Sequence, residues 1–234
     1  MPIAARLAPS LPGLSLLPLL PLLRLVACGG AEPSDAVPDP DRSPDVITDP
    51  MRQCGPQPDG SPPRLTVSGT GLAVRCGQGL KPVRLKGLNR SGLQHKNGLQ
   101  QAGFASDPTA ELRRCRDEWG ATMIRLPFGQ SYYTTYAEAP QYRQGIAAVI
   151  AAARSLGLYV VLDLHGYDAA NLNIALPDPV STPALWADLA RSFGGEPHVA
   201  FDLWNEPHSV PWATWKTHAE RILRAIRDAG ACET

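Results

Sequence analysis

The sequence predicts an α/β fold assembled from repeated right-handed βα units, and three observations carry that reading. Four apolar, strand-like runs at 83–88, 122–126, 158–164 and 199–204 alternate with helical patterns, and their centres, Leu85, Ile124, Val161 and Asp202, lie 39, 37 and 41 positions apart. The runs are near-continuous instead of alternating, as strands covered on both faces of a parallel sheet require. Each run ends in polar groups: Asn89, Arg125, His165 and the pair Asn205-Glu206. An open doubly wound sheet would announce a nucleotide site by a Gly-rich turn after its first strand. The turn here reads Asn89-Arg90-Ser91-Gly92-Leu93 instead. In a (β/α)8 barrel the carboxyl ends of the strands form the active face. A lone Arg or His at a strand end is more often a hydrogen-bonded structural residue, but four consecutive strand ends with such groups favour the barrel. Four units fill residues 83–234, and eight would need about twice that. The expectation is therefore a (β/α)8 barrel truncated to about its first four βα units, preceded by an N-terminal β-hairpin.

In chain order, residues 1–27 read as a secretory signal: Arg6 precedes a Leu-rich run at 11–23, too short and too interrupted by Pro12, Pro18 and Pro21 for a membrane span. Residues 28–63 read as a disordered tether. Of the 24 prolines, 14 lie within residues 1–63, and residues 29–63 carry seven acids against two bases with no aromatic residue, a composition too poor in apolar surface to offset its ordering entropy. The domain then spans 64–234. Segments 64–68 and 71–75 flank Gly69-Thr70 and form the hairpin. The first helix covers about 108–119, with Ser106 or Asp107 as its cap. The second carries Ile146, Val149, Ile150 and Ala153 at i, i+3, i+4 and i+7, from Pro140 to Gly157. Trp186, Leu189, Ala190 and Phe193 mark the third, with Thr182 as cap and Pro183 in its first turn. Trp215, Ala219, Ile222 and Ile226 mark the fourth, which ends near Gly230.

Charge and cysteines narrow the classes further. With 22 basic and 22 acidic residues the chain has no net charge, which argues against a nucleic-acid or polyanion partner. Apart from Cys28 the cysteines are Cys54, Cys76, Cys115 and Cys232, an even number that allows three pairings in an oxidising compartment. Cys54 with Cys76 is the preferred pair; free buried thiols are the alternative, and Cys115 on an apolar helix face suits that. No cysteine spacing and none of the five histidines gives a metal-ligand pattern, so no cofactor is expected.

Two resemblances add to this reading. Leu25-Val26-Ala27-Cys28-Gly29 resembles the lipobox of bacterial lipoproteins, which implies acylation of Cys28 and an extracytoplasmic, membrane-anchored protein; an ordinary secretory signal with Cys28 incidental is the alternative. Phe201-Asp202-Leu203-Trp204-Asn205-Glu206-Pro207-His208 resembles the Asn-Glu-Pro signature of glycoside hydrolase family 5, a family of retaining (β/α)8 glycosidases. Arg84-Leu85-Lys86-Gly87-Leu88-Asn89, Ile124-Arg125-Leu126-Pro127 and Leu162-Asp163-Leu164-His165 are similar to that family's first three strands, in order.

The resemblance implies a carbohydrate substrate and a site in which Glu206 is the acid/base, Asn205 donates to the sugar's 2-hydroxyl, Arg125 orients the nucleophile carboxylate and His165 lines the subsite beside the scissile bond. It also implies a nucleophile on strand seven, outside these residues, and hence a partner half of the barrel. Tyr132, Tyr133, Tyr167, Trp204 and Trp212 fall near the active face and could stack on sugar, although packing is the plainer role for each. Asp163 and Asp202 lie inside strands away from the nucleophile position and read as structural. The rival from another class is a surface carbohydrate-binding or assembly lipoprotein without hydrolysis.

Overall fold

The computed structural model describes residues 48–95 and 107–231, so Cys28, Ser106, Cys232 and the whole signal segment lie outside the described residues. The elements run α1 (Pro50–Cys54), β1 (Leu65–Ser68), β2 (Gly71–Cys76), β3 (Gly79–Pro82), β4 (Gly87–Asn89), α2 (Pro108–Trp119), β5 (Met123–Gly129), α3 (Gln130–Thr134), α4 (Ala139–Leu156), β6 (Tyr159–Gly166), α5 (Ser181–Phe193), β7 (Val199–Asp202) and α6 (Trp212–Asp228).

Strands β4, β5, β6 and β7 form a parallel sheet in sequence order. Its register sets Asn89 opposite Arg125, Pro127 opposite Asp163, and Asp163 opposite Asp202. Because side chains alternate along a strand, one face carries Ile124, Leu126, Phe128, Val160, Leu162, Leu164, Val199 and Phe201, all buried. Helices cover that face with the residues their period predicts: Leu112 from α2, Ile146, Val149 and Ile150 from α4, Trp186 and Leu189 from α5, Ile222 and Ile226 from α6. Trp186 sits at the centre, its ring 6.1 Å from Phe128 and 5.0 Å from Phe201. Each such side chain contributes roughly 1.5–3 kcal/mol by leaving water. The opposite face holds Arg125, Asp163, His165 and Asp202, and it is the face that bears the site.

Local sequence sets the ends. Asp107 caps α2 by accepting from the Thr109 and Ala110 amides. Gly157 closes α4 at φ 72°, and a Cβ there would lie 2.6 Å from the Met51 side chain. Gly87 lets β4 approach β5, since a Cβ there would stand 2.1 Å from the Met123 carbonyl oxygen.

Several expectations need correction. The hairpin is two strands of a three-stranded antiparallel sheet, because Gly79–Pro82 pairs with β2. The first barrel strand, expected at 83–88, is shorter and later than that: its parallel ladder is only Gly87–Asn89. Thr182 is not the cap of α5: it lies in the first turn, buried, with its hydroxyl donating to Gln130 Oε1, while the Asp178 carboxylate accepts from the Val180 and Ser181 amides. Residues 48–63, expected as tether, include helix α1, which Asp49 caps, and buried Ser61, Pro62 and Pro63. Cys54 bonds to Cys76, fastening that helix to β2, and the Tyr159 hydroxyl donates to the Pro63 carbonyl at 2.6 Å. A bridge closing a loop of this length stabilises by about 3 kcal/mol in the chain-entropy account. Cys115 is a free, half-buried thiol, and burial raises its pKa. Among the described residues no helix is long and apolar enough to cross a membrane.

Candidate active site

The carboxyl ends of β4 to β7 converge on the Arg125 guanidinium. Its Nε and Nη2 donate to Asp202 Oδ2 at 3.2 and 3.0 Å, Nη2 also donates to Asn205 Oδ1 at 2.9 Å, and Nη1 donates to Asn89 Oδ1 at 3.1 Å. Asp163 Oδ1 lies 3.0 Å from Nη2, an ion pair without hydrogen-bond geometry, and Asp163 Oδ2 is 2.7 Å from His165 Nδ1. One cluster thus joins Asn89, Arg125, Asp163, His165, Asp202 and Asn205 across all four strands. Strand geometry explains it: positions 163 and 165 share a face at i, i+2, and the register brings 163 beside 202.

Asp163 is fully buried, whereas Arg125 keeps 26% and Asp202 37% of their side-chain surface exposed. Burial pushes the Asp202 pKa up, the neighbouring Asp163 carboxylate adds to that, and Arg125 opposes both. The two aspartates are therefore more than fillers of strand interiors: they hold Arg125 and His165 in place. Their signal was available in the sequence, since two acids within otherwise apolar strands must be paired or hydrogen-bonded when buried.

Asn205 spends its carbonyl oxygen on Arg125 and its backbone N–H on the Leu164 carbonyl at 2.9 Å, leaving its side-chain NH₂ as a donor without a partner among the described residues. Glu206 follows in the left-handed region at φ 48°, a conformation uncommon for a residue with a Cβ. Glu206 is exposed and makes no hydrogen bond or ion pair among the described residues. Of the four residues expected at the site, Arg125, Asn205 and His165 are tied into one network, and Glu206 stands beside it through the chain alone. Such strain at a polar strand end is a common mark of functional positions.

The aromatic residues divide. Tyr132, Tyr133 and Trp204 are buried. Tyr132 accepts from the Ala169 amide, and the Trp204 indole donates to the Ile174 carbonyl. Tyr133 donates to Asp188, and its pKa is pushed up to about 12, by burial first and the Asp188 charge second. Tyr167 is half-buried against Trp204, with ring centres 5.4 Å apart. Trp212 is 55% exposed at the start of α6. Among the described residues no group of acids, histidines and cysteines is placed to hold a metal ion.

Comparison with known proteins bears on the family and the fold. The sequence matches the family model for cellulase (glycosyl hydrolase family 5) over residues 77–234. It is 30% identical over 139 residues to "Endoglucanase EG-II" of Hypocrea jecorina, covering 53% of this chain and 32% of that protein. It is 30% identical over 152 residues to "Endoglucanase A" of Evansella cellulosilytica, covering 62% of this chain and 28% of that protein. An endocellulase of Pyrococcus horikoshii solved with cellotetraose superposes with a TM-score of 0.60 at 22% identity, over 71% of this chain and 54% of that one. The catalytic domain of a Thermobifida fusca endoglucanase gives 0.57 at 22% identity, over 79% and 54%. The chain spans roughly a third of the curated relatives' length and about half of the solved chains.

Proposed function

The chain belongs to glycosyl hydrolase family 5, and from that premise we propose that it carries the acid/base side of a retaining, endoglucanase-like site acting on a β-linked polysaccharide or oligosaccharide. The observation that supports this most is the bond between Arg125 and Asn205, with Glu206 next on the same strand end. A retaining glycosidase needs one carboxylic acid at the leaving oxygen and an ionised carboxylate about 5–5.5 Å from it. Glu206 is the acid/base, free of competing partners and set at the rim of the sheet. The Asn205 NH₂, its carbonyl held by Arg125, meets a sugar hydroxyl as donor. His165 presents its Nε2 edge, since Nδ1 is committed to Asp163. Arg125 retains one Nη1 hydrogen without a partner among the described residues, which suits a nucleophile carboxylate brought from the other side of the barrel. The four βα units are in this reading the first half of that barrel, and exposed Trp212 stacks on sugar at its rim.

The test is a polysaccharide assay in two arms. A protein that carries these residues together with a strand-seven nucleophile should release reducing ends from a soluble β-1,4-glucan with retained anomeric configuration. The 234 residues alone should release none above background, because no acid here occupies the matched nucleophile position and no glycosyl-enzyme can form. Turnover by these residues alone that disappears in Glu206→Gln would mean another acid in the chain is the nucleophile. Sugar binding without turnover in the first arm would favour the non-hydrolytic, carbohydrate-binding reading.

We also place the lipid anchor at Cys28, on the resemblance of residues 25–29 to a lipobox. Several acyl chains on one residue hold a protein at a membrane because each buried CH₂ contributes about 0.8 kcal/mol. Cys28→Ala should move the protein from the membrane fraction into the soluble extracytoplasmic fraction. Equal membrane recovery of the two forms would remove the anchor from the account.

A further inference from the structure

We propose that Asp163 is a positioning residue that fixes His165 as its Nδ1–H tautomer, so that the site meets a sugar with a hydrogen-bond acceptor on β6 and a donor on β7. The assignment of a sugar as the ligand rests on the function proposed above; the tautomer does not. Asp163 Oδ2 lies 2.7 Å from His165 Nδ1, and the carboxyl group is fully buried while the imidazole keeps 22% of its surface exposed. An ionised carboxylate can only accept, so the hydrogen in that bond belongs to Nδ1. A neutral imidazole has one N–H, which leaves Nε2 with its lone pair on the open side. His165 Nε2 has no partner among the described residues.

Two further contacts stop the carboxylate from turning away. Its other oxygen is 3.0 Å from Arg125 Nη2, and Arg125 is itself held by Asp202, Asn89 and Asn205. Asp163 is thus clamped between a guanidinium that neutralises it and an imidazole that it orients. The same guanidinium takes the Asn205 carbonyl and so turns the amide NH₂ outward. One buried acid and one arginine therefore set opposite hydrogen-bonding signs on neighbouring strands. A glycan ring satisfies both only if the hydroxyl at His165 is free to donate and the oxygen at Asn205 is free to accept. An ether or deoxy position at His165 would leave Nε2 desolvated and unpaired, the kind of mismatch that discriminates strongly.

Long-range ¹H–¹⁵N correlation of the imidazole side chains of the 234-residue chain tests this without substrate, with His165→Gln identifying the His165 signals among the five histidines. At neutral to mildly basic pH, His165 should show a protonated, pyrrole-type Nδ1 and a bare, pyridine-type Nε2. In Asp163→Leu, similar in size and unable to accept, the ratio of Nδ1–H to Nε2–H tautomers should fall by about tenfold, the worth of a hydrogen bond to a charged group. Asp163→Asn, which keeps the shape of the strand if the leucine variant does not fold, should lower the ratio by roughly fivefold. Asp163→Glu should not restore the wild-type ratio, because the longer side chain does not fit a fully buried position. A proton on Nε2 in the wild type, or an unchanged ratio in a folded leucine variant, overturns the proposal. Because no sugar is present, neither result bears on whether the protein is a glycanase, and failure of the glycanase assay leaves the tautomer standing.

Discussion

Glu206→Ala should slow hydrolysis of substrates with poor, basic leaving groups by about 10²–10⁴-fold, the usual worth of general acid help. Assayed in a protein that carries these residues and the nucleophile, the same change should spare formation of the glycosyl-enzyme from activated aryl glycosides, whose leaving groups depart unaided. The geometry behind this is specific. Glu206 lies at the end of the strand that delivers Asn205, at φ 48°, and no neighbour among the described residues shares its carboxylate. It is therefore free to give a proton and take it back. Azide should restore turnover of the activated substrates, because a small anion attacks the glycosyl-enzyme without base assistance, and the glycosyl azide should keep the β configuration. Equal slowing of both substrate classes, with an azide product of inverted configuration, would make Glu206 the nucleophile and reverse the roles. The left-handed backbone cost belongs to any residue with a Cβ and is already carried by Glu206, so neither Glu206→Ala nor the near-isosteric Glu206→Gln should shift the unfolding midpoint much, and lost turnover in both reports lost chemistry.

Much of this site could be read from the chain because barrel chemistry is periodic. An apolar run followed by a polar residue, repeated at intervals of 37 to 41, gave Asn89, Arg125, His165 and Asn205-Glu206 directly, and all five stand at the same end of one parallel sheet. What a single run cannot contain is pairing. Asp163 and Asp202 read as structural acids inside strands, and only the register that sets them side by side shows that the structure they serve is a shared Arg125. The first parallel strand is shorter than its apolar run, because only Gly87–Asn89 lie in register with Met123–Arg125, and a run of apolar residues does not say which of them will find a partner. Residues 48–63 look like linker by composition, yet the Cys54–Cys76 bridge and the Tyr159 hydroxyl hold them against β2 and β6. The cap of α5 failed for a simpler reason: the helix begins at Ser181, one residue before Thr182, whose hydroxyl is spent on Gln130, while the Asp178 carboxylate takes the Val180 and Ser181 amides from just outside the helix.

Arg125→Met should cost about 3 kcal/mol of folding stability at neutral pH, with a deficit that narrows on acidification. Removing one partner of a buried ion pair typically costs about 3–5 kcal/mol, and the lower end applies because Arg125 keeps 26% and Asp202 37% of their side-chain surface exposed. The methionine keeps length and apolar contact but leaves Asp163, fully buried, facing Asp202 across a register pair with no guanidinium between them. The sign of the pH dependence follows from Asp202. Its native pKa already lies above the ordinary aspartate value, by burial first and by Asp163 second, and Arg125 is the main influence pulling it down. A group whose pKa is raised by folding stabilises fully at pH below its unfolded value, about 4, and that contribution is lost as pH rises through the native value. Without Arg125 the native value climbs further, so more stability is lost between pH 4 and neutrality than in the parent. Urea unfolding midpoints of the two proteins should therefore lie closest together near pH 4 and separate steadily towards pH 7. Arg125→Lys should recover part of the neutral-pH loss, since it restores the charge but not the fork that reaches Asp202, Asn89 and Asn205 together. A deficit that stays constant with pH, or one that widens in acid, would show that the two aspartates do not repel each other and that Arg125 acts only through packing.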